Sequence, residues 1–391
     1  MARTLSPDDI RDQVISWRRH LHRNPELSFH EMNTSRFVAE TLGGFGGLEI
    51  TRPTATSVLA RLKGGRPGRT LAMRADIDAL PIHEKNAHDF VSGNAGVMHA
   101  CGHDGHTAML LGAAKILAER RAELAGEIRF IFQHAEEIPP GGAEELVRAG
   151  VMDGVDLVIG AHLWAPLEVG KVGVKAGALM AAPDAFTITI LGSGGHAAIP
   201  QQTVDSIAIA AQVVTNLQHV VARNVDPLAS AVLSVTRIVG GGEAYNVIPG
   251  RVELGGTVRT FDETLRAEVP RLIERIVAGV TSAHGARYEF SYERGYRPVI
   301  NDAQAAELLR GAVVKALGSA ALVEATPTMG GEDFSAYQQK APGAFFFVGA
   351  RCEERGIIHP HHHECFDVDE RALDHGTRIF VAAAEEWGTA I

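Results

Sequence analysis

Residues Glu127–Glu137 read EIRFIFQHAEE, a run rich in Ile and Phe that stops abruptly at two carboxylates. Glu127–Gln133 has the composition of a buried strand, and Glu136 and Glu137 fall just beyond its carboxyl end. Upstream, Thr107–Arg120 predicts a helix, and Leu71–Arg74 predicts a strand leading to Asp76 and Asp78. Downstream, Ala143–Ala149 predicts a short helix and Val155–Ala161 a strand ending at His162. Alternation of this kind implies an α/β/α layer structure around a central, mostly parallel sheet. An opening helix is expected after Ser6-Pro7, with Ser6 as cap and Pro7 in the first turn.

From about Pro183 the rhythm changes. Ala185–Leu191 alternates apolar and polar residues as a strand does, and Thr203–Arg223 is an amphipathic helical stretch. Ser230–Val239 and Arg251–Thr260 follow as strands, Glu263–His284 as a helix and Arg287–Glu293 as a last strand. The order β-α-β-β-α-β is that of a ferredoxin-like α+β unit. It predicts a domain over residues 183–296 inserted into a first domain made of 1–182 and 297–391. The α/β pattern then resumes with helices at Ala303–Leu317 and Phe334–Gln339, a strand at Ala344–Val348 and a closing helix at Asp369–Trp387.

Size and charge agree with two soluble domains. The chain has 391 residues, of which 46% are hydrophobic and 21% charged; a typical domain has ~150. A net charge of −10 without any Lys/Arg run disfavours nucleic acid as a partner, since phosphate binding needs a basic surface. No run approaches ~18 apolar residues, so no membrane span is expected. The opening MARTLSPDDIRDQVISWRRHLHR lacks the apolar stretch of a secretory signal. Three cysteines, Cys101, Cys352 and Cys365, are too few and too odd for a disulfide framework. A reducing cytoplasm is the expected compartment.

The segment MHACGHDGHTAM sets Cys101 and His103 two apart in a Gly-punctuated loop before a helix. Thiolate and imidazole suit borderline divalent metals, although a buried thiol beside surface histidines would read the same way. At Glu136-Glu137, neighbouring side chains diverge, so one can reach a metal while the other faces a water; a solvated acidic turn is the plainer alternative. His162 ends VDLVIGAH, and His359, His361, His362 and His363 crowd HPHHHECF. Asp76, Glu136, Glu137 and His162 all fall at carboxyl ends of predicted strands, where open α/β sheets bind ligands.

These motifs together resemble one family. RRHLHRNPELSF (Arg18–Phe29), MRADIDALP, MHACGHDGHTAMLLGAA, FQHAEE, GAHLW, GGHAAIP, NVIP, GTVRTF, GGEDFSAY and HHHECFDVDE run nearly end to end. The chain is similar to the aminoacylase/hippurate hydrolase branch of the dinuclear metallo-amidohydrolases, which includes the auxin-conjugate hydrolases and is related to metallo-carboxypeptidases. The resemblance implies two divalent ions (Zn, Mn, Co or Ni) sharing Cys101. His103 and His162 would complete one ion, and Glu137 and His362 the other. His362 is chosen because the family's ligand lies four residues before the aromatic of the F-D motif, here Phe366. Glu136 would be the general base, moving a proton from water to the leaving amine, and Asp76 a carboxylate orienting a metal-bound His.

The resemblance also implies a lid and dimerisation role for the inserted domain, and hence a homodimer. His196 in GGHAAIP would donate to the oxyanion, in its own site or a neighbour's. Asn246 and Arg259 would bind the substrate carboxylate, unless NVIP is simply a turn and Arg259 a strand residue. One departure stands out: many members have Pro at the position of His134. The expected reaction is hydrolysis of an N-acyl amino acid to a carboxylic acid and a free amino acid. Alternatives are a dipeptidase or carboxypeptidase, a metal-binding protein without catalysis, and a thiol hydrolase using Cys101 with His103 or His106.

Overall fold

The computed structural model describes residues 5–389, so the first four residues of the opening stretch lie outside it. The chain divides into two compact units. One comprises Met1–Leu179, Val299–Pro327 and Asp333–Ile391; the other comprises Met180–Pro298 and Thr328–Glu332. Among the described residues no helix is long and apolar enough to cross a membrane.

An eight-stranded sheet organises the first unit. Its four middle strands are Ala125–Gln133, Arg66–Asp76, Leu157–Glu168 and Gly343–Arg351, and they run parallel to one another. Val58–Lys63 and then Leu48–Thr51 continue one side in antiparallel fashion. On the other side Val172–Val174 joins antiparallel and carries Leu322–Glu324 as a parallel partner. The middle strands read as continuous apolar runs because layers cover both faces. Phe130, Phe132, Phe345 and Phe346 are fully buried, each burial contributing about 1.5–3 kcal/mol. Helix His103–Glu119 packs between Pro7–Arg23 and Arg371–Thr389. Every residue from His103 to Ala114 is buried; from Ala108 to Ala114 the helix is apolar on all sides, and its first turns bury His103, Asp104, His106 and Thr107.

Two of the boundaries that differ from the sequence expectation bear on chemistry. The helix expected from Thr107 begins at His103, because Gly102 adopts φ +100° and turns the chain directly into it. His103 therefore sits in a helical first turn and not in a loop. The strand expected to end at Ala161 runs on to Glu168. Its pairing with Arg66–Asp76 stops at Gly160, but Gly343–Arg351 carries it further through Phe347↔His162 and Val348↔Leu163. His162 is thus an inner strand residue, fixed from one side.

The second unit has a four-stranded antiparallel sheet in the order Ala231–Gly240, Arg251–Thr260, Ala182–Leu191, Arg287–Glu293. With helices Ser206–Asn224 and Glu263–Ala283 the chain order is β-α-β-β-α-β. Phe186, Ile188 and Ile190 alternate onto one face and pack with Ile209, Val213, Leu217 and Val220 of one helix and Val269, Ile273 and Val277 of the other. The first helix starts at Ser206, three residues later than expected, because Asp205 caps it by accepting the N–H groups of Ile207 and Ala208. On the same strand face, two residues before Phe186, Asp184 forms a buried ion pair with Arg266 at 2.7 Å. Tyr292 and the Gly295 N–H also donate to Asp184, both at 2.9 Å.

Candidate functional site

Three parallel inner strands of the first unit deliver their chemistry toward their carboxyl ends. Asp76 and Gln133 are the last residues of adjacent strands, and His162 lies on the third. The first turn of helix His103–Glu119 and the loop after Gly343–Arg351 bring in His103 and His362. The result is two triads, Cys101–His103–His162 and Cys101–Glu137–His362, in each of which the ligand atoms all lie within 4.8 Å of one another. Cys101 belongs to both.

The hydrogen bonds determine which imidazole nitrogen is available. His162 Nδ1 lies 2.7 Å from the Leu163 carbonyl, so it donates and leaves the Nε2 lone pair facing Cys101 Sγ at 3.4 Å. His103 Nδ1 donates to the Asp78 carbonyl and Oδ1, at 2.9 and 3.1 Å. Its Nε2 is buried without a hydrogen-bond partner, as is Glu137 Oε1, and the two lie 3.8 Å apart. His362 Nε2 stands 3.3 Å from the same Glu137 oxygen. Buried polar atoms left unpaired are costly, and here they converge on a shared point. A cation there would satisfy them together.

Not every histidine nearby is free to join. His106 Nδ1 is bonded to Asp76 Oδ1 at 2.6 Å, and its Nε2 accepts the Leu163 N–H at 2.8 Å, so both nitrogens are committed. His361 Nε2 accepts the Ala165 N–H at 3.1 Å, which leaves only its Nδ1 buried without a partner, and its ring stands perpendicular to His162. His363 Nδ1 accepts the Cys365 N–H at 3.0 Å, and its ring stacks on His359.

Electrostatics point the same way. Burial pushes the Cys101 thiol up, and the charges of Glu137, Glu136 and Asp76 push it further. Burial lowers His103, but Asp76, Asp78 and Glu137 outweigh it and hold the imidazole at about 10. Burial drives His162 well below its ordinary range, with His106 and His361 adding to the shift. A buried pocket whose anions pull protons onto a neighbouring imidazole is one that favours positive charge.

Asp76 does not stand behind His103 Nδ1; that carboxylate is Asp78, which the sequence reading passed over. Asp76 orients His106 and pairs with Arg74 Nη1 at 2.7 Å. Both aspartates are fully buried. Glu136 is buried too and near enough to raise the Cys101 thiol. His134, the departure from the family pattern, is buried and bonds Glu145 Oε2 at 3.0 Å, tying its loop to helix Ala143–Arg148. His196, Asn246 and Arg259 belong to the second unit. His196 lies on a two-stranded ribbon opposite Val247, and the Asn246 carbonyl accepts the Ala197 N–H. Arg259 is half-buried in strand Arg251–Thr260, donating to Thr257 Oγ1 at 2.6 Å.

Known proteins share this architecture. An N-acyl-L-amino acid amidohydrolase of Geobacillus stearothermophilus is 66% identical over 294 residues, 75% of this chain and 79% of that one. Thermostable carboxypeptidase 2 of Saccharolobus solfataricus is 42% identical over 94% of this chain and 93% of its own. The crystal structure of the Bacillus subtilis protein YXEP, a dinuclear metal binding peptidase from the M20 family, superposes with a TM-score of 0.85. It is 38% identical, over 98% of this chain and all of that one. The profile of peptidase family M20/M25/M40 matches residues 72–386. On that match, the chain belongs to peptidase family M20/M25/M40.

Proposed function

We propose that the chain hydrolyses the amide bond of N-acyl amino acids, releasing a carboxylic acid and a free amino acid, with two divalent ions held by its first unit. The observation that carries this is the pair of triads sharing Cys101, with His103 Nε2 and Glu137 Oε1 buried and unpaired between them. His103 and His162 would hold one ion with Cys101, and Glu137 and His362 would hold the other. The donors are thiolate, imidazole and carboxylate, a set suited to Zn, Mn, Co or Ni. When bound, the ions supply Lewis acidity, polarising the amide carbonyl and making water a better acid.

The chain's own residues do the rest. Glu136 accepts a proton from the attacking water as the C–O bond forms, and returns it to the leaving nitrogen so that the C–N bond can then break. His196 Nδ1 accepts the Ala198 N–H at 3.1 Å, which puts the ring proton on Nε2 and suits it to donate to the oxyanion. Asn246 and Arg259 recognise the substrate carboxylate. The upward push on the Cys101 thiol disfavours its use as a nucleophile, which needs a lowered value.

The similarity to an N-acyl-L-amino acid amidohydrolase supports the N-acyl substrate. A carboxypeptidase reading has its own support in the Saccharolobus relative; there the acyl group is a peptide and the chemistry is unchanged. We further infer a homodimer through the second unit, where strand Ala231–Gly240 leaves one edge unpaired and exposes Ile238 and Val239. The free thiols of Cys101, Cys352 and Cys365 suit a cytoplasmic location. The test is release of free amino acid from N-acetyl, N-benzoyl and dipeptide substrates by chelator-stripped protein, before and after reloading with each metal. Release only on reloading is expected, and release that survives stripping would overturn the metal mechanism.

A further inference from the structure

Glu136 and Glu137 follow a residue with an uncommon backbone. Ala135 has φ +49°, a left-handed conformation that a residue with a Cβ adopts only when its surroundings impose it. Its N–H donates to Glu31 Oε1 at 2.8 Å, and its carbonyl accepts the Gly142 N–H at 3.0 Å. The same Glu31 oxygen accepts the N–H of Phe29 at 3.0 Å, itself a left-handed residue with φ +66°. Glu31 is fully buried. One carboxylate oxygen therefore ties two left-handed residues from segments more than 100 positions apart.

The next pin on this loop is Asp78, whose Oδ2 accepts the Glu137 N–H at 3.1 Å while its Oδ1 orients His103. Glu136 lies between the two pins. With Ala135 released, the direction in which both following carboxylates leave the backbone is no longer set, because a φ change at one residue swings everything after it. Burial pushes the Glu31 carboxyl up to about 7, the nearby Asp78 charge adds to the push, and the N–H groups it accepts resist. Keeping so unfavourable a buried acid at this position fits a role in positioning.

We propose that Glu31 is a positioning residue for the reaction: by accepting the Ala135 N–H it holds the left-handed turn that aims Glu136 and Glu137. This rests on the roles given above to those two glutamates. Needed at Glu31 is an acceptor oxygen, with or without charge, so an amide should serve and an alkyl group of similar size should not.

The experiment compares Glu31→Gln with Glu31→Leu in the full chain, loaded with the metal that best supports turnover. Gln keeps the acceptor oxygen, and kcat is expected within about threefold of wild type. Leu fills the space without accepting, and kcat is expected to fall by about tenfold or more with KM little changed, the cost of misplaced reacting groups. A second readout needs no turnover: affinity for the weaker-bound ion, measured by dialysis and elemental analysis, should drop about 10–100-fold in Glu31→Leu alone. Equal behaviour of the two variants in both readouts, or wild-type values in Glu31→Leu, would overturn the proposal. Should Glu31→Leu not fold, Glu31→Ala carries the same expectation. If wild type hydrolyses no substrate, the functional reading fails, and the metal affinities of the pair still decide the role of Glu31.

Discussion

The two units of this chain bury charge in opposite ways. In the first, Arg74, Asp76, Asp78, His103, His106 and Asp333 lie together in the interior toward the carboxyl ends of the parallel strands. In the second, the packed layer between sheet and helices is apolar, and Asp184–Arg266 is an ion pair whose remaining bonds go to Tyr292, Gly295 and Glu263 of the same unit. A network that only has to hold a fold together can close internally. The first unit leaves Nε2 of His103 and Oε1 of Glu137 unpaired at its centre, which costs stability unless a ligand completes the set. That contrast separates a built ligand site from an ordinary buried salt bridge.

The sharpest break in the comparison is at Glu136. Glu136→Gln is expected to lower kcat by about 10²–10⁴-fold with metal content unchanged by elemental analysis. Turnover near wild type would remove Glu136 from the role of base.

Asp184→Ala attacks the second unit instead. It leaves the buried Arg266 guanidinium with only Glu263 and the Gly295 carbonyl, and a loss of about 3 kcal/mol is expected on denaturant unfolding, localised by hydrogen exchange to strands Ala182–Leu191 and Arg251–Thr260. Metal binding by the folded protein should not change; if it does, the two networks are not independent.

Acid offers a third test. Burial pushes the Glu84 carboxyl up, but the bond and charge of His22 and the Ser92 N–H outweigh it and hold Glu84 at about 2. Its folded value lies below the ordinary 4.5, so its stabilisation is complete above pH 4.5 and is lost as pH falls from 4.5 to 2. In metal-stripped protein Glu84→Gln should flatten that limb of the stability curve by about 1–3 kcal/mol. An unchanged limb would assign acid sensitivity elsewhere.

The smallest effect is expected at the outer strand of the second unit, where Arg237 pairs with Glu253 on the surface. Arg237→Ala should cost less than about 0.5 kcal/mol. A loss of more than about 1 kcal/mol that depends on protein concentration would mean that another copy covers this edge in solution.

Much of this was legible in the sequence, for physical reasons that differ by residue. Glu127–Gln133 announces a strand through its Ile and Phe residues, and the carboxylates after it stand out because polar groups abruptly follow a buried run. The β-α-β-β-α-β order was readable from periodicities of two and of about 3.6. His103 was misplaced in a loop because Gly102 and Gly105 look like loop punctuation. In the fold Gly105 is helical, and a Cβ there would come within 2.3 Å of Leu163 Cδ1, so its purpose is close packing. Asp78 was undervalued because Asp76 and Asp78 straddle a strand end, where nothing in the spacing says which one reaches His103. Glu31 was invisible, since its partner is a backbone N–H more than 100 residues away, which no pattern of side chains encodes. His361 and His362 could be told apart only through the family pattern; in the structure the Ala165 N–H engages His361 and leaves His362 beside Glu137.

The parallel pairing of Leu157–Glu168 with Gly343–Arg351 also has a consequence for how the chain comes into being. On a ribosome, which releases the chain from its N-terminus, His162 emerges 200 residues before His362 (362 − 162). The whole second unit is made in the interval, and all its sheet pairings, from the local hairpin of Ala231–Gly240 with Arg251–Thr260 to the distant pairing of Ala182–Leu191 with Arg287–Glu293, can form without anything made later. Strand Gly343–Arg351 then has to find its place against a waiting partner before the loop bearing His362 can reach Glu137. The site for the second ion is therefore among the last things the nascent chain can complete, and a chain ending before residue 343 would lack both the strand that fixes His162 and the loop that carries His362.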